Sequence, residues 1–153
     1  MDAKIENIPS CTIAYMRQTG PYGTTNVNVQ LMEKFKCWVK ANHLFTDQSI
    51  LLGIAQDNPA FVAPENCRYD ACLVVPDDYR VNADGVKLGN IRGGRYAVFK
   101  VTHTVEAVQR AWGEVFLQLE NEGFTLDETR PILERYTVEL VNNHTCEICI
   151  PIK

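Results

Sequence analysis

Glu134 departs most from its surroundings. It stands in Pro131-Ile-Leu-Glu-Arg-Tyr136, where strand alternation puts Ile132, Glu134, Tyr136 and Val138 on one face and Leu133, Arg135 and Thr137 on the other. A carboxylate on an apolar face has two readings. It is an edge-strand charge held in solvent or paired with Arg135 or Arg95, or it is a carboxylate inside a cleft, and strand pattern alone leaves the two level. In a cleft the ionised group is costly unless compensated, so the site favours a ligand that brings positive charge and apolar rings. Aromatic faces add cation–π attraction. Tyr22, Trp38, Tyr69, Trp112, Phe116 and Tyr136 are the candidates; aromatics at helical spacing commonly belong to a core, so about half of the six are expected to line a cleft.

Other chemistries are weaker. Cys146-x-x-Cys149 with Cys67, Cys72 and His144 has the residue types of a zinc site. A strand sends residues three apart to opposite faces, so Cys146 and Cys149 cannot converge, and no metal is expected. The six cysteines, including Cys11 and Cys37, sit mostly in apolar runs and are expected as reduced core residues. His43, His103 and His144 lie near the ends of predicted elements, which suits surface or capping positions. No GxSxG elbow, P-loop, HExxH or GxGxxG is present, and Ile91-Arg-Gly-Gly-Arg95 lacks the helix that a phosphate cradle needs. No cofactor is expected, and Arg92 and Arg95 read as solvated charge beside a turn.

The elements that must position these groups follow from periodicity. With 153 residues, 46% of them hydrophobic, the chain can bury a core as one compact domain. A net charge of -4 with both signs scattered argues against nucleic acid as the main partner. The longest apolar runs, such as residues 71–76, fall far short of the roughly 20 residues that span a bilayer, and the first residues lack a signal peptide's apolar region. A soluble, cytoplasmic protein with no membrane partner is expected.

Residues 8–16 read as a strand ending at a turn signal over residues 19–23, and Leu31, Met32, Phe35, Trp38 and Val39 mark a helix between 26 and 44. Residues 50–55 and 68–75 read as strands joined by a loop through Asp57-Asn58-Pro59, and residues 77–94 as a polar link. A strand over 95–102 leads to a helix marked by Val108, Ala111, Trp112, Val115, Phe116 and Leu119 and stopped at Gly123. Strands over 132–138 and 146–152, around a turn at Asn142-Asn143-His144, finish the chain. Both halves thus read β-α-β-β. Ile8-x-x-Cys-Thr-Ile-Ala-Tyr matches Ile91-x-x-Gly-Arg-Tyr-Ala-Val, and Cys72-Leu-Val-Val-Pro76 matches Glu147-Ile-Cys-Ile-Pro151. The pattern predicts an α+β domain over 1–153, with pseudo-repeats over about 5–76 and 91–153. Their strands would form one curved antiparallel sheet with two helices on one face and a central cleft suited to a ligand.

Four segments together resemble the GyrI-like small-molecule-binding domain, also found as the effector-binding domain of AraC-type and MerR-type multidrug regulators. They are Tyr15-Met-Arg-Gln-Thr-Gly-Pro-Tyr22; Gly53-Ile-Ala-Gln-Asp57-Asn-Pro59 followed by Cys67-Arg-Tyr-Asp-Ala71; Gly93-Gly-Arg-Tyr-Ala-Val98 leading to Ala111-Trp112; and Pro131-x-x-Glu134-x-Tyr136 with Ile150-Pro151. Their order and spacing cover nearly the whole chain. The resemblance implies that Glu134 faces the cleft, where relatives accept bulky lipophilic cations. Tyr136 and Trp112 are the nearest companions by position, with Tyr22, Phe116 and Tyr69 behind them. Two departures stand out. After Tyr136 many relatives turn at an Asn-Asp-Pro-like sequence, whereas this chain runs on as Thr-Val-Glu-Leu-Val. The chain also starts directly at the binding domain, so direct DNA binding through a helix-turn-helix is not expected.

The leading expectation is a stand-alone module that binds drug-like lipophilic cations, rather than an enzyme. The resemblance also implies an alternative, hydrolysis of electrophilic toxins with Glu134 as base and Tyr136 as acid, and a third, modulation of gyrase. A homodimer or a protein partner is compatible with each.

Overall fold

The computed structural model describes residues 2–22, 27–58, 60–81 and 83–153. Gly23 of the expected turn, Asn26 at the expected helix start and Pro59 of the expected loop lie outside the described residues. The elements are β1 (Ala3–Ile8), β2 (Cys11–Thr19), α1 (Val27–Ala41), β3 (Ile50–Ala55), β4 (Arg68–Val75), β5 (Lys87–Ile91), β6 (Gly94–Thr102), α2 (Val105–Asn121), β7 (Leu133–Thr137), α3 (Val138–Asn142) and β8 (Thr145–Pro151).

The eight strands form one antiparallel sheet in the order β1-β6-β8-β7-β3-β4-β2-β5. The order is symmetric about the β7–β3 boundary: β2, β4 and β3 on one side answer β6, β8 and β7 on the other. Each half's leading strand crosses over. β1 precedes β2 but pairs with β6, and β5 precedes β6 but pairs with β2, so the edge strands tie the halves together.

Both long helices lie on one face. Leu31, Phe35 and Val39 of α1, four residues apart and therefore on one stripe, pack on Ala14, Met16, Ala71 and Leu73. Ala111, Val115 and Leu119 of α2 repeat that spacing against Ala97, Phe99, Ile148 and Ile150. The opposite face closes over its own core, which includes Leu52, Ile54, Tyr96, Val98 and Leu133. Since α1 and α2 cover the outer strands, the central pair β3 and β7 is left open between them.

Three local readings are corrected. The strand expected over residues 8–16 starts only at Cys11 and runs to Thr19 as β2, and an unpredicted strand, β1, precedes it; Pro9 between them cannot donate to a ladder, and the segments on either side pair with different partners. The polar link contains β5, an edge strand whose register from Cys11↔Ile91 to Tyr15↔Lys87 hides in a sequence with Gly89 and Asn90 at its centre. The last hairpin is not a continuous run: Val138–Asn142 winds into α3, capped by the Thr137 hydroxyl, which accepts the Leu140 amide at 3.2 Å. Thr137→Ala removes this cap and is expected to cost about 1 kcal/mol, read as a lower melting temperature.

Candidate functional site

β7 sits beside β3 with Gly53 opposite Glu134 and Leu51 opposite Tyr136. Gly53 leaves the place of a side chain empty, and the Tyr69 hydroxyl from β4 fills it: a Cβ at Gly53 would collide with that hydroxyl and lie 3.7 Å from Glu134 Cβ. Glu134, Tyr136 and Tyr69 are therefore brought together on the sheet, Glu134 and Tyr136 on one face of β7 as their alternation predicts and Tyr69 reaching them from β4. The Tyr136 hydroxyl donates to Glu134 Oε2 at 2.8 Å.

Protein surrounds Glu134 on nearly every side, yet the residue stays partly exposed. Burial pushes its carboxyl above the usual range, and the Tyr136 hydroxyl only partly opposes this. No lysine, arginine or histidine among the described residues forms an ion pair with it. The tyrosines respond in kind: burial first, then the neighbouring carboxylate, drives the Tyr69 and Tyr136 hydroxyls well above their ordinary range. Both remain neutral donors at any physiological pH.

At the Glu134 end of this group opens a cleft of about 810 Å³ that Gly53 and Glu134 line, that reaches Ile13 and Ile91, and that neither Tyr69 nor Tyr136 lines. Its volume is within the range of roughly 300–1,000 Å³ that holds drug-sized ligands. Trp112 and Phe116, one turn apart on α2, stack at 6.2 Å and 29° and line it together with Glu134 and Ile132. Phe61 lines it too and is 87% exposed. Nothing in the local sequence marked Phe61, because it lies outside any periodic element; its sole signal was a large apolar residue in a loop.

Two carboxylates of the walls, Asp57 and Asp127, are paired with arginines. Asp57 holds Arg68 through both carboxylate oxygens at 2.9 and 3.0 Å, and the arginine's hydrogen bonds keep the Asp57 carboxyl below its usual range. Asp127 accepts from Thr129 and from Arg130 Nε at 2.8 Å; these bonds, Thr129's first, hold it far down as well. Arg130 also donates to the carbonyls of Arg95 and Ile152 and lies over the Tyr96 ring, fixing the 127–131 wall. Two lining carboxylates, Glu134 and Glu128, form no ion pair among the described residues; Glu128 is exposed to solvent, and Glu134 is the one enclosed by protein.

Two expected aromatics sit elsewhere. The Tyr22 hydroxyl donates to the Arg68 carbonyl and accepts the Asp57 amide at 3.2 Å, bracing the loop after β3 beside the mouth. Trp38 stacks on Phe35 at 5.7 Å in the α1 core. Among the histidines, His43 and His144 occupy left-handed turn positions at φ 57° and 56°, whereas His103 packs on Tyr136 at 5.3 Å between ring centres. Cys146 and Cys149 enter cores on opposite faces of β8. No helix among the described residues is long and apolar enough to cross a membrane.

Comparison with known proteins identifies the family and the fold. The model of the GyrI-like small molecule binding domain matches residues 1–153. The SPbeta prophage-derived putative transcriptional regulator YosT of Bacillus subtilis (strain 168) is 42% identical over 153 residues, covering all of both chains. Among solved structures, the EcmrR C-terminal domain superposes with a TM-score of 0.73 at 15% identity, over 99% of this chain and 97% of that one. SAV2435 bound to tetraphenylphosphonium superposes with a TM-score of 0.67 at 17% identity, over 100% of this chain and 94% of that one. This chain belongs to the GyrI-like small-molecule-binding family.

Proposed function

We propose that the domain acts in the cytoplasm as a binding module for bulky lipophilic cations, held over Glu134 between the Trp112–Phe116 stack and Phe61. The observation that carries this reading is the buried Glu134 carboxylate, which faces an aromatic cleft and has a tyrosine hydroxyl but no cation for a partner. Such a group lacks one thing, a positive charge that enters without needing much hydration. A delocalised lipophilic cation supplies it and covers the exposed rings, with cation–π attraction of about 2 kcal/mol when desolvated. The cation in SAV2435, tetraphenylphosphonium, belongs to this class and supports the choice of probe.

Titration calorimetry of tetraphenylphosphonium against pH tests the reading. The cation selects the ionised carboxylate, whose protonation burial favours, so binding is expected to release a proton. Affinity then rises by up to about tenfold per pH unit until Glu134 is ionised in the empty cleft, and flattens above that. A pH-independent affinity with no proton release would overturn it. Phe61→Ala is expected to weaken the same ligand by about 1 kcal/mol, with an unchanged melting temperature because the ring is already in solvent.

The Tyr136–Glu134 hydrogen bond also favours a second reading, hydrolysis of a strained electrophile with Glu134 steering water and Tyr136 donating a proton. Multiple turnover of an epoxide, lost in Glu134→Gln, would select it over simple capture.

A further inference from the structure

A second cavity, of about 220 Å³, opens on the same helix-bearing face at the other end of the β3–β7 pair. Its walls are Val39 of α1, Leu51 of β3, Val138 and Val141 of α3, Phe45 and the ring of Tyr136. Tyr136 is the partition: its ring bounds this cavity while its hydroxyl reaches Glu134 of the larger cleft.

The two spaces have opposite polarity. Lys36 and Lys40, four residues apart and thus on one side of α1, both line the smaller cavity, and no aspartate or glutamate does. In a chain of net charge -4 that composition is informative. Neither ammonium is well neutralised: Lys36 reaches Glu33 at 3.7 Å, where the carboxylate is 67% exposed, a pairing worth little. Lys40 rests over the Phe45 ring at 5.8 Å. Beside the lysines, Phe45 and Val141 leave about half their surface in water, although Val39 and Leu51 behind them are buried.

We infer that this cavity is a second binding site, for an anion bearing a short apolar chain, such as a medium-chain carboxylate. The headgroup meets Lys36 and Lys40, the chain lies along Val39, Leu51, Val138 and Val141, and Phe45 and Tyr136 close its sides. The volume lies below the roughly 300–1,000 Å³ of drug-sized sites, which suits a single chain and excludes a multi-ring cation. The inference does not depend on what the larger cleft takes.

Octanoate is the probe, titrated calorimetrically into the whole chain at about 0.15 M salt, with octan-1-ol and octyltrimethylammonium as neutral and cationic counterparts of the same chain. Octanoate is expected to saturate at one equivalent, with both counterparts at least tenfold weaker. The double variant Lys36→Met, Lys40→Met, which keeps the lysine stems' apolar length, should weaken octanoate at least tenfold. Val141→Trp, placed on the half-exposed rim so that the ring fills the cavity from outside, should abolish it. Saturating tetraphenylphosphonium should not displace it. Absence of saturation, equal affinity for octyltrimethylammonium, full binding by folded Val141→Trp, or competition by tetraphenylphosphonium would each overturn the assignment. Octanoate binding without any tetraphenylphosphonium binding would uphold this site while removing the cation reading of the larger one.

Discussion

Glu134→Gln is expected to raise the melting temperature of the unliganded protein while abolishing its preference for cations. In the unfolded chain the carboxyl titrates at its ordinary value near 4.5; in the fold burial raises it. The native state therefore holds this proton more tightly, and the group's contribution to stability falls as pH rises through the interval between the two values. At neutral pH glutamine removes the cost of burying the charge and can still accept the Tyr136 hydroxyl. The expected gain is about 1 kcal/mol, a rise of roughly 2–4 °C for a chain of this size, and it should vanish below pH 4, where both states carry the proton. Cation affinity should drop about 10- to 100-fold, the loss of a charge-assisted contact of roughly 1.5–3 kcal/mol. Calorimetric melting with ligand titration on one preparation checks both. A destabilised Glu134→Gln would identify the carboxylate as a structural anchor rather than a binding group.

The second large effect lies on the opposite side of the same strand. Arg135 donates through Nε to Glu147 at 2.9 Å and through both Nη atoms to Glu6 at 2.8 and 3.0 Å, joining β7 to β8 and to the edge strand β1. All three side chains are largely buried, at 14%, 16% and 29% exposure. Arg135→Met leaves two carboxylates close together with no cation, and breaking a buried pair in this way costs about 3–5 kcal/mol. Partial exposure places the expected loss at the lower end, about 3 kcal/mol or roughly 6–12 °C. The pH signature has the opposite sign to that of Glu134. The arginine's hydrogen bonds hold the Glu6 carboxyl below 4.5, so this stabilisation is complete above that value and is lost as pH falls through the lowered one. The deficit of Arg135→Met should therefore shrink in acid. A melting temperature equal to that of the native chain at pH 7 would show that the triad adds nothing net.

Adjacent residues of β7 thus do opposite work, and alternation alone separates them. That is why the floor of the site was legible in the sequence: Glu134 and Tyr136 share a face because they are two apart, and a strand leaves no other choice. The helical stripes ending at Val39 and Leu119 were legible for the same reason; periodicity put Trp112 and Phe116 on the second apolar face with Ala111 and Val115, and the family resemblance, not the spacing, singled them out as companions of Glu134. What sequence could not give was anything decided by long-range pairing. β5 has no apolar signature of its own and exists because β2 offers it an edge. The break at Pro9 looks like a flaw in one strand until the two segments are found in different parts of the sheet. Tyr22 has the residue type of a cleft aromatic, but its hydroxyl is taken by backbone groups of residues 57 and 68, which only the folded loop brings near. Phe61 belongs to that same loop, where its amide donates to the Asn58 carbonyl at 3.0 Å, a contact that no periodicity announces.

The proposed role of the Glu134 carboxylate makes the sign of the ligand's charge decisive, and a pair of isosteric ions tests this most directly. Tetraphenylphosphonium and tetraphenylborate have nearly the same shape and opposite charge, so their affinities, read from quenching of Trp112 at about 0.15 M salt, isolate electrostatics from ring packing. The account predicts saturable binding of the cation with the anion weaker by about 100-fold, or roughly 2.7 kcal/mol. Equal affinities, or tighter binding of tetraphenylborate, would mean that the cleft selects rings alone and that Glu134 does not govern what enters it.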